Sequence, residues 1–513
     1  MSAPSIATTT AGKIRGIVRD SVHVFKGVRY GADTAATRFG PPRAPEPWSD
    51  VKDALEYGNS SPQGVGGDGG GLFASWRPSP PLPISEDCLF LNVWTPGLRD
   101  GRKRPIMVWL HGGGFVTGSG SSNAYDGTRL ANRGDVVVIT INHRLNAFGY
   151  LYLGGHGEDF ADSGNAGTLD IILALEWVRD NAAELGGDAG NVMVFGESGG
   201  GAKVSVLLAM DRAKGLFHRA VVQSGPWLRA TPAQQASEAA NAVIEQLGLT
   251  RSTLDEIRKL PMQRLLSAWQ KAAPASRGVA DGPVLDGRSL AQHPFDPGAP
   301  AQGRDVPMMI GTCSTETSML IGAARPELFD LTWDGLREAL APQLAGLDAA
   351  STLAEYRRLH PDYSPAEAYF RITTDRGFYR SSMLQADRKA AQGGAPVYFY
   401  ILEWPTPVHA GKWLTPHALD IGFVFDNVAR SEAMSGVGPD QQRLADMMSE
   451  SWLAFARSGD PNHAKLPAWP SYDSRARATM IFDVEPRVVN DPRGVERALF
   501  KRPAGGRATT TSV

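Results

Sequence analysis

The sequence predicts an α/β fold in which a mostly parallel central sheet carries helices on both faces and accommodates large insertions. Three observations predict it. Segments 105–110, 136–141, 192–195, 220–223, 306–311 and 396–402 are apolar almost throughout, as strands covered on both faces should be. Helical periodicity intervenes between them, most clearly at Leu169, Ile172, Leu173, Leu175, Trp177 and Val178. Strands alternating with helices build parallel sheets, because a parallel crossover needs a long connection. Finally, the run 192–195 passes through Gly196-Glu197-Ser198-Gly199-Gly200 into the small-residue segment 201–209, which can be helical.

In chain order, residues 12–57 read as short strands and turns. Segment 64–83 is rich in glycine and proline and is expected as a mobile surface loop. The later half of 85–94 alternates like a strand. The helix containing Leu169 stops at Gly186-Gly187. Residues 232–272 and 326–395 are expected to be largely helical, and a helix over 441–457 should end at Gly459, the residue type best suited to a left-handed cap. The reading is one catalytic domain over 1–500 with insertions, followed by a polar, disordered tail at 501–513.

Composition narrows the classes. The 513 residues are 42% hydrophobic and 21% charged, as in ordinary globular enzymes, and the net charge of -2 offers nothing to nucleic acid phosphates. No apolar run approaches the roughly 18 residues of a membrane span, and the first ten residues lack the basic and apolar regions of a signal peptide. Two distant cysteines, Cys88 and Cys313, make no disulfide framework and point to the cytoplasm. A monomer or small homo-oligomer is expected.

A serine on a strand–turn–helix bend becomes a nucleophile because the bend lifts its hydroxyl clear of the sheet, next to the positive end of a helix. With 57 glycines in the chain, such a five-residue pattern also arises by chance, so its partners decide. His111-Gly112-Gly113-Gly114-Phe115 directly follows the 105–110 strand. Consecutive glycines let main-chain N–H groups converge on one point, as an oxyanion hole requires; a plain flexible turn is the alternative. A general base and an orienting carboxylate complete such a site, and in α/β-hydrolase sheets they follow the nucleophile in the order acid, histidine, on loops at strand carboxyl ends. Glu316 lies just past the 306–311 strand. Of ten histidines, only His360, His409, His417 and His463 follow it. Order alone leaves His409 and His417 equally placed after the 396–402 strand.

A resemblance separates them. Phe25-Lys26-Gly27-Val28-Arg29-Tyr30, Glu86-Asp87-Cys88-Leu89-Phe90-Leu91-Asn92-Val93, the His111 glycine run, Asn142-His143-Arg144-Leu145, the Ser198 bend, Gln223-Ser224-Gly225 and Phe455-Ala456-Arg457-Ser458-Gly459-Asp460-Pro461-Asn462 stand in register. Together they make the chain similar to the type-B carboxylesterase family, which includes the bacterial para-nitrobenzyl esterases and the cholinesterases. The resemblance covers about residues 11 to 483. It implies Ser198, Glu316 and His417 as the catalytic triad, the amides of Gly113, Gly114 and Gly199 as the oxyanion hole, and Glu197 as a buried supporting carboxylate. It also implies two structural ion pairs, Arg38 with Glu86 and Arg144 with Asp170. There are departures. Thr315-Glu316-Thr317 replaces the usual Asp-Glu-Gly, and Gly199 replaces a common alanine, which should loosen one oxyanion amide. Ser61 stands where secreted relatives carry a cysteine paired with the position of Cys88, so Cys88 is expected as a free, buried thiol.

The implied reaction is ester hydrolysis through an acyl-enzyme, with no metal or cofactor. Its rate should fall as pH drops through a histidine pKa near ~6.5. Phe115, Trp227 and Phe423 are candidate pocket residues for an apolar acyl or aryl group. Carbamate or aryl-amide hydrolysis on the same site is the alternative chemistry, and a non-catalytic interaction protein of the same fold the alternative class.

Overall fold

Alternate side chains of the central strands go to opposite cores in the computed structural model, which describes residues 4–64, 66–276, 282–344 and 346–500. The expected disordered tail, 501–513, lies outside the described residues. Ile106, Val108 and Leu110 join one hydrophobic cluster, Met107 and Trp109 the other; Val192 and Val194 divide from Met193 and Phe195 in the same way. Successive Cβ atoms of a strand face opposite sides of its sheet, so a run that is apolar at every position needs cover on both. Helices Ala166–Asn181, Gly199–Leu207 and Arg380–Ala390 contribute to the first core, and Thr128–Gly134 and Pro439–Ser458 to the second.

Among the described residues the sheet has 13 strands. Its centre runs Val137–Ile141, Arg104–Leu110, Gly187–Glu197, Arg219–Gln223, Met308–Cys313, Val397–Leu402 and Ala478–Phe482, every neighbouring pair parallel. Antiparallel strands extend both edges. This is the α/β-hydrolase arrangement expected from the sequence. Parallel pairing puts the carboxyl ends of seven strands along one edge of the sheet, which is where such folds build their sites. Leu110 pairs with Gly196, and Gly311 with both Gln223 and Tyr400. The loops that follow these residues, with His111, Ser198, Glu316 and His417, therefore open on the same edge. Helix Pro439–Ser458 ends at Gly459, whose φ of 79° is the left-handed cap foreseen.

Two local expectations are corrected. Segment 64–83 is not simply a surface loop: Leu72 and Trp76 are buried in the second core, and the Trp76 indole N–H donates to Ser431 Oγ at 3.1 Å. Two large apolar side chains outweigh the surrounding glycines and prolines. Strand Phe90–Thr95 does not alternate in burial, because it pairs on both sides, with Val22–Arg29 and Val137–Ile141, and is covered on both faces.

Both expected ion pairs form. Arg38 meets Glu86 through two side-chain hydrogen bonds, and Arg144 meets Asp170 at 2.7 Å with both side chains essentially out of water. Arg144 also donates to the carbonyl of Gly40 at 2.9 Å, joining the loop after strand Val22–Arg29 to helix Ala166–Asn181. Arg144→Met strands the Asp170 carboxylate in a buried site and is expected to cost about 3–5 kcal/mol. The denaturation midpoint should drop accordingly, and removing both charges together should restore part of the loss.

Candidate active site

Ser198 is held in a strained bend, with φ 55° and ψ -124°, between the strand ending at Glu197 and the helix starting at Gly199. A non-glycine residue there costs on the order of 1–3 kcal/mol and persists only where its surroundings impose it. The surroundings do so through close backbone approach. A Cβ on Gly200 would collide with the Leu110 carbonyl, and one on Gly225 with the Ser198 carbonyl. The Ser198 N–H is in turn held by the Gln223 carbonyl at 2.8 Å. Ser198 is half-buried, between the buried Glu197 and Gly199.

Glu316 and His417 come together from two later loops. His417 Nδ1 is 2.5 Å from Glu316 Oε2, and the other carboxylate oxygen accepts the Cys313 N–H at 2.8 Å. The threonine that departs from the usual pattern has a place here. Thr315 Oγ1 donates to the Thr415 carbonyl at 3.0 Å and accepts the Thr415 N–H at 2.9 Å, clipping the acid loop to the histidine loop. His409, the other candidate by chain order, is exposed in a left-handed turn with φ 52°.

Nε2 of His417 faces Glu197, the residue before Ser198. It lies 3.1 Å from Glu197 Oε1, and neither atom has a hydrogen-bond partner among the described residues. Burial alone would lower the His417 pKa, but Glu197 and Glu316 outweigh it and raise it to about 9. Burial also raises Glu197, to about 8, so the two facing groups titrate as a coupled pair. A base that must be unprotonated to act loses activity as pH falls through its raised pKa. The acid limb of kcat/KM is expected above the ~6.5 of an ordinary histidine. Glu197→Gln should move that limb down toward ~6.5; pH–rate profiles of the two proteins decide, and identical limbs would dismiss Glu197 as the cause.

The glycine run lies against this centre. Gly113 and Gly114 both take positive φ, 85° and 61°, and their N–H groups have no partner among the described residues. The Gly113 carbonyl accepts the N–H groups of Val116 and Thr117. Gly199, at the head of the helix, offers a third amide. Gly199 does not simply loosen its amide, as expected from the sequence; the Gly114 carbonyl oxygen stands well within 3.0 Å of where a Cβ would be, so only glycine fits.

Of the three pocket candidates, two meet. The Phe115 and Trp227 rings are 5.3 Å apart at 65°, and Tyr150 closes on Phe115 at 5.1 Å. Phe423 is placed elsewhere: it is fully buried in the second core against Trp404, 5.6 Å away, and its role is packing. Three neighbours were not singled out from the sequence. Phe378 packs on the His417 ring at 5.3 Å. Asp420 accepts from Gln223 at 3.0 Å and from Tyr400 at 2.8 Å. Lys203, buried, donates to the Gly114 carbonyl at 2.7 Å. A lone lysine amid small and apolar residues was the one signal available for the last.

A model of the carboxylesterase family matches residues 2–499 of the chain. The chain belongs to the carboxylesterase family. A para-nitrobenzyl esterase of Bacillus subtilis is 35% identical over 500 residues, covering 96% of this carboxylesterase and 97% of the relative. A phenmedipham hydrolase of Pseudarthrobacter oxydans is 31% identical, with 93% and 94% covered. Among solved structures, a carboxylesterase of Geobacillus stearothermophilus superposes with a TM-score of 0.82 at 36% identity, over 97% of this chain and 100% of the other. The protein is thus a carboxylic ester hydrolase of the α/β-hydrolase fold. No helix among its described residues is long and apolar enough to cross a membrane.

Proposed function

We propose that this carboxylesterase cleaves small-molecule esters through Ser198, with His417 as proton carrier, Glu316 as its orienting carboxylate, and the Gly113, Gly114 and Gly199 amides as the oxyanion hole. The observation that carries the reading is the 2.5 Å contact between Glu316 and His417, two residues 101 positions apart, beside a serine held in a strained bend.

Ser198 Oγ attacks the ester carbonyl carbon as its proton passes to His417 Nε2. The carbonyl oxygen becomes an oxyanion held by the three amides. His417 then returns the proton to the alkoxy leaving group as the C–O bond breaks, and the acyl group stays on Ser198. Water repeats the sequence, giving its proton to His417 and releasing the acid. Glu316 holds the Nδ1 proton, so Nε2 is the atom that can accept. The Nε2–Oγ bond is completed with substrate in place, since catalytic hydrogen bonds commonly tighten in the Michaelis complex. Phe115 and Trp227 line the acyl side.

The chain acts as a single catalytic domain over 1–500, as a monomer or small homo-oligomer, in the cytoplasm; two free, buried thiols support that compartment. The relative named for phenmedipham favours including that compound beside p-nitrophenyl esters of varied acyl length, aryl amides and carbamates. Turnover of the esters by the wild type and not by Ser198→Ala is the expected result. Turnover of amides or carbamates alone would overturn the ester assignment.

A further inference from the structure

Lys203 is fully buried, one turn into the helix that begins beside the nucleophile, and the acyl-transfer scheme gives it no role. Its placement is costly on two counts. A lysine in the first turns of a helix sits at the wrong end of the dipole, and a buried ammonium needs partners to compensate for lost water. The Glu197 carboxylate acts on it through charge, but its hydrogen bonds all go to one loop. Nζ donates to the His111 carbonyl at 3.0 Å and to the Gly114 carbonyl at 2.7 Å, and lies 5.1 Å from the centre of the Phe115 ring. The two carbonyls are the two ends of the glycine run. Helical side chains slant back toward the helix start, so a lysine at this position reaches over the first turn to that run. Gly199, four residues earlier on the same face, leaves open the space that the Gly114 carbonyl occupies.

We propose that Lys203 is a positioning residue of the oxyanion hole: it holds the His111 and Gly114 carbonyls, and through them the peptide planes of the glycines between, while Gly199 makes room for that contact. The proposal rests on Ser198 acting as the nucleophile. A glycine run with positive φ at two positions has little stiffness of its own. Donors must be fixed before charge develops if they are to favour the transition state over the ground state. A two-point tether on the carbonyls supplies that stiffness without occupying the amides.

The test compares Lys203→Met, which keeps the length and removes the donors, with Gly199→Ala, which fills the space. Each is read by ester kinetics and by inhibition with an aryl trifluoromethyl ketone, whose adduct on the serine carries the oxyanion. The expected result is a fall in kcat of roughly a hundredfold or more with KM changed little, and ketone affinity weakened in step with kcat/KM. The double variant should be little worse than the poorer single one, because both changes release the same contact. A Lys203→Met protein that keeps kcat within threefold, or that loses kcat without losing ketone affinity, overturns the proposal. If Lys203→Met does not fold, Lys203→Gln, which keeps a polar side chain but loses the reach to both carbonyls, is read by the same two criteria and upholds or overturns the proposal in its place. A wild type insensitive to the ketone would instead overturn the Ser198 reading, and this inference with it.

Discussion

Ser198→Ala is expected to lower kcat by on the order of 10⁶-fold and to leave the fold intact. The substitution removes one oxygen from a half-buried side chain and keeps its Cβ. The bend is imposed by glycines and main-chain contacts on both sides, so alanine keeps the backbone. What disappears is the acyl-enzyme route. A residual rate of about 10³–10⁴ over water should survive, because the amides can still bind an oxyanion formed by direct attack of water. Unchanged circular dichroism with turnover near that floor is the outcome to look for. A loss of tenfold or less would mean that another group takes the acyl chain.

Glu316→Gln should cost about 10⁴-fold in kcat while changing KM little. The carboxylate accepts twice: from His417 at Nδ1 and from the Cys313 N–H. An amide has one acceptor oxygen. If it keeps the Cys313 bond, its NH₂ faces Nδ1, which must then be the unprotonated atom, and the proton moves to Nε2. The ring is then in the wrong tautomer to accept from Ser198, in a site too buried for water to correct it. Glu316→Asp, which keeps the charge but shortens the reach, should lose less. A glutamine variant with full activity would show that orientation by Glu316 is dispensable.

Much of this was legible in the sequence because it rests on local rules. Runs such as 105–110 and 192–195, apolar at every position, signal a doubly covered sheet, and the split of their side chains between two cores is the physical reason. Ser198 announces itself through the glycines that its close approaches demand. Glu316 can be placed by chain order because parallel strands gather their carboxyl ends. Order could not choose between His409 and His417. That choice depends on how the loop after Val397–Leu402 folds back, and the Thr315–Thr415 clip joins residues 100 positions apart. The same limit explains the misplacement of Phe423: hydrophobicity predicts that a side chain is buried, not which cavity it faces. Lys203 was hidden for a related reason. Its partners are carbonyls about 90 residues away, and a carbonyl has no signature in sequence. Leu72 and Trp76 show the converse, two strong anchors masked by the glycine and proline around them.

The most direct measurement is the site and stoichiometry of covalent labelling by a fluorophosphonate, read by intact mass and peptide mapping against residual ester hydrolysis. One phosphonyl group per chain on the peptide containing Ser198, with activity lost in proportion and no labelling of Ser198→Ala, is the predicted result. Full labelling with activity retained, or a label confined to any other residue, would contradict it.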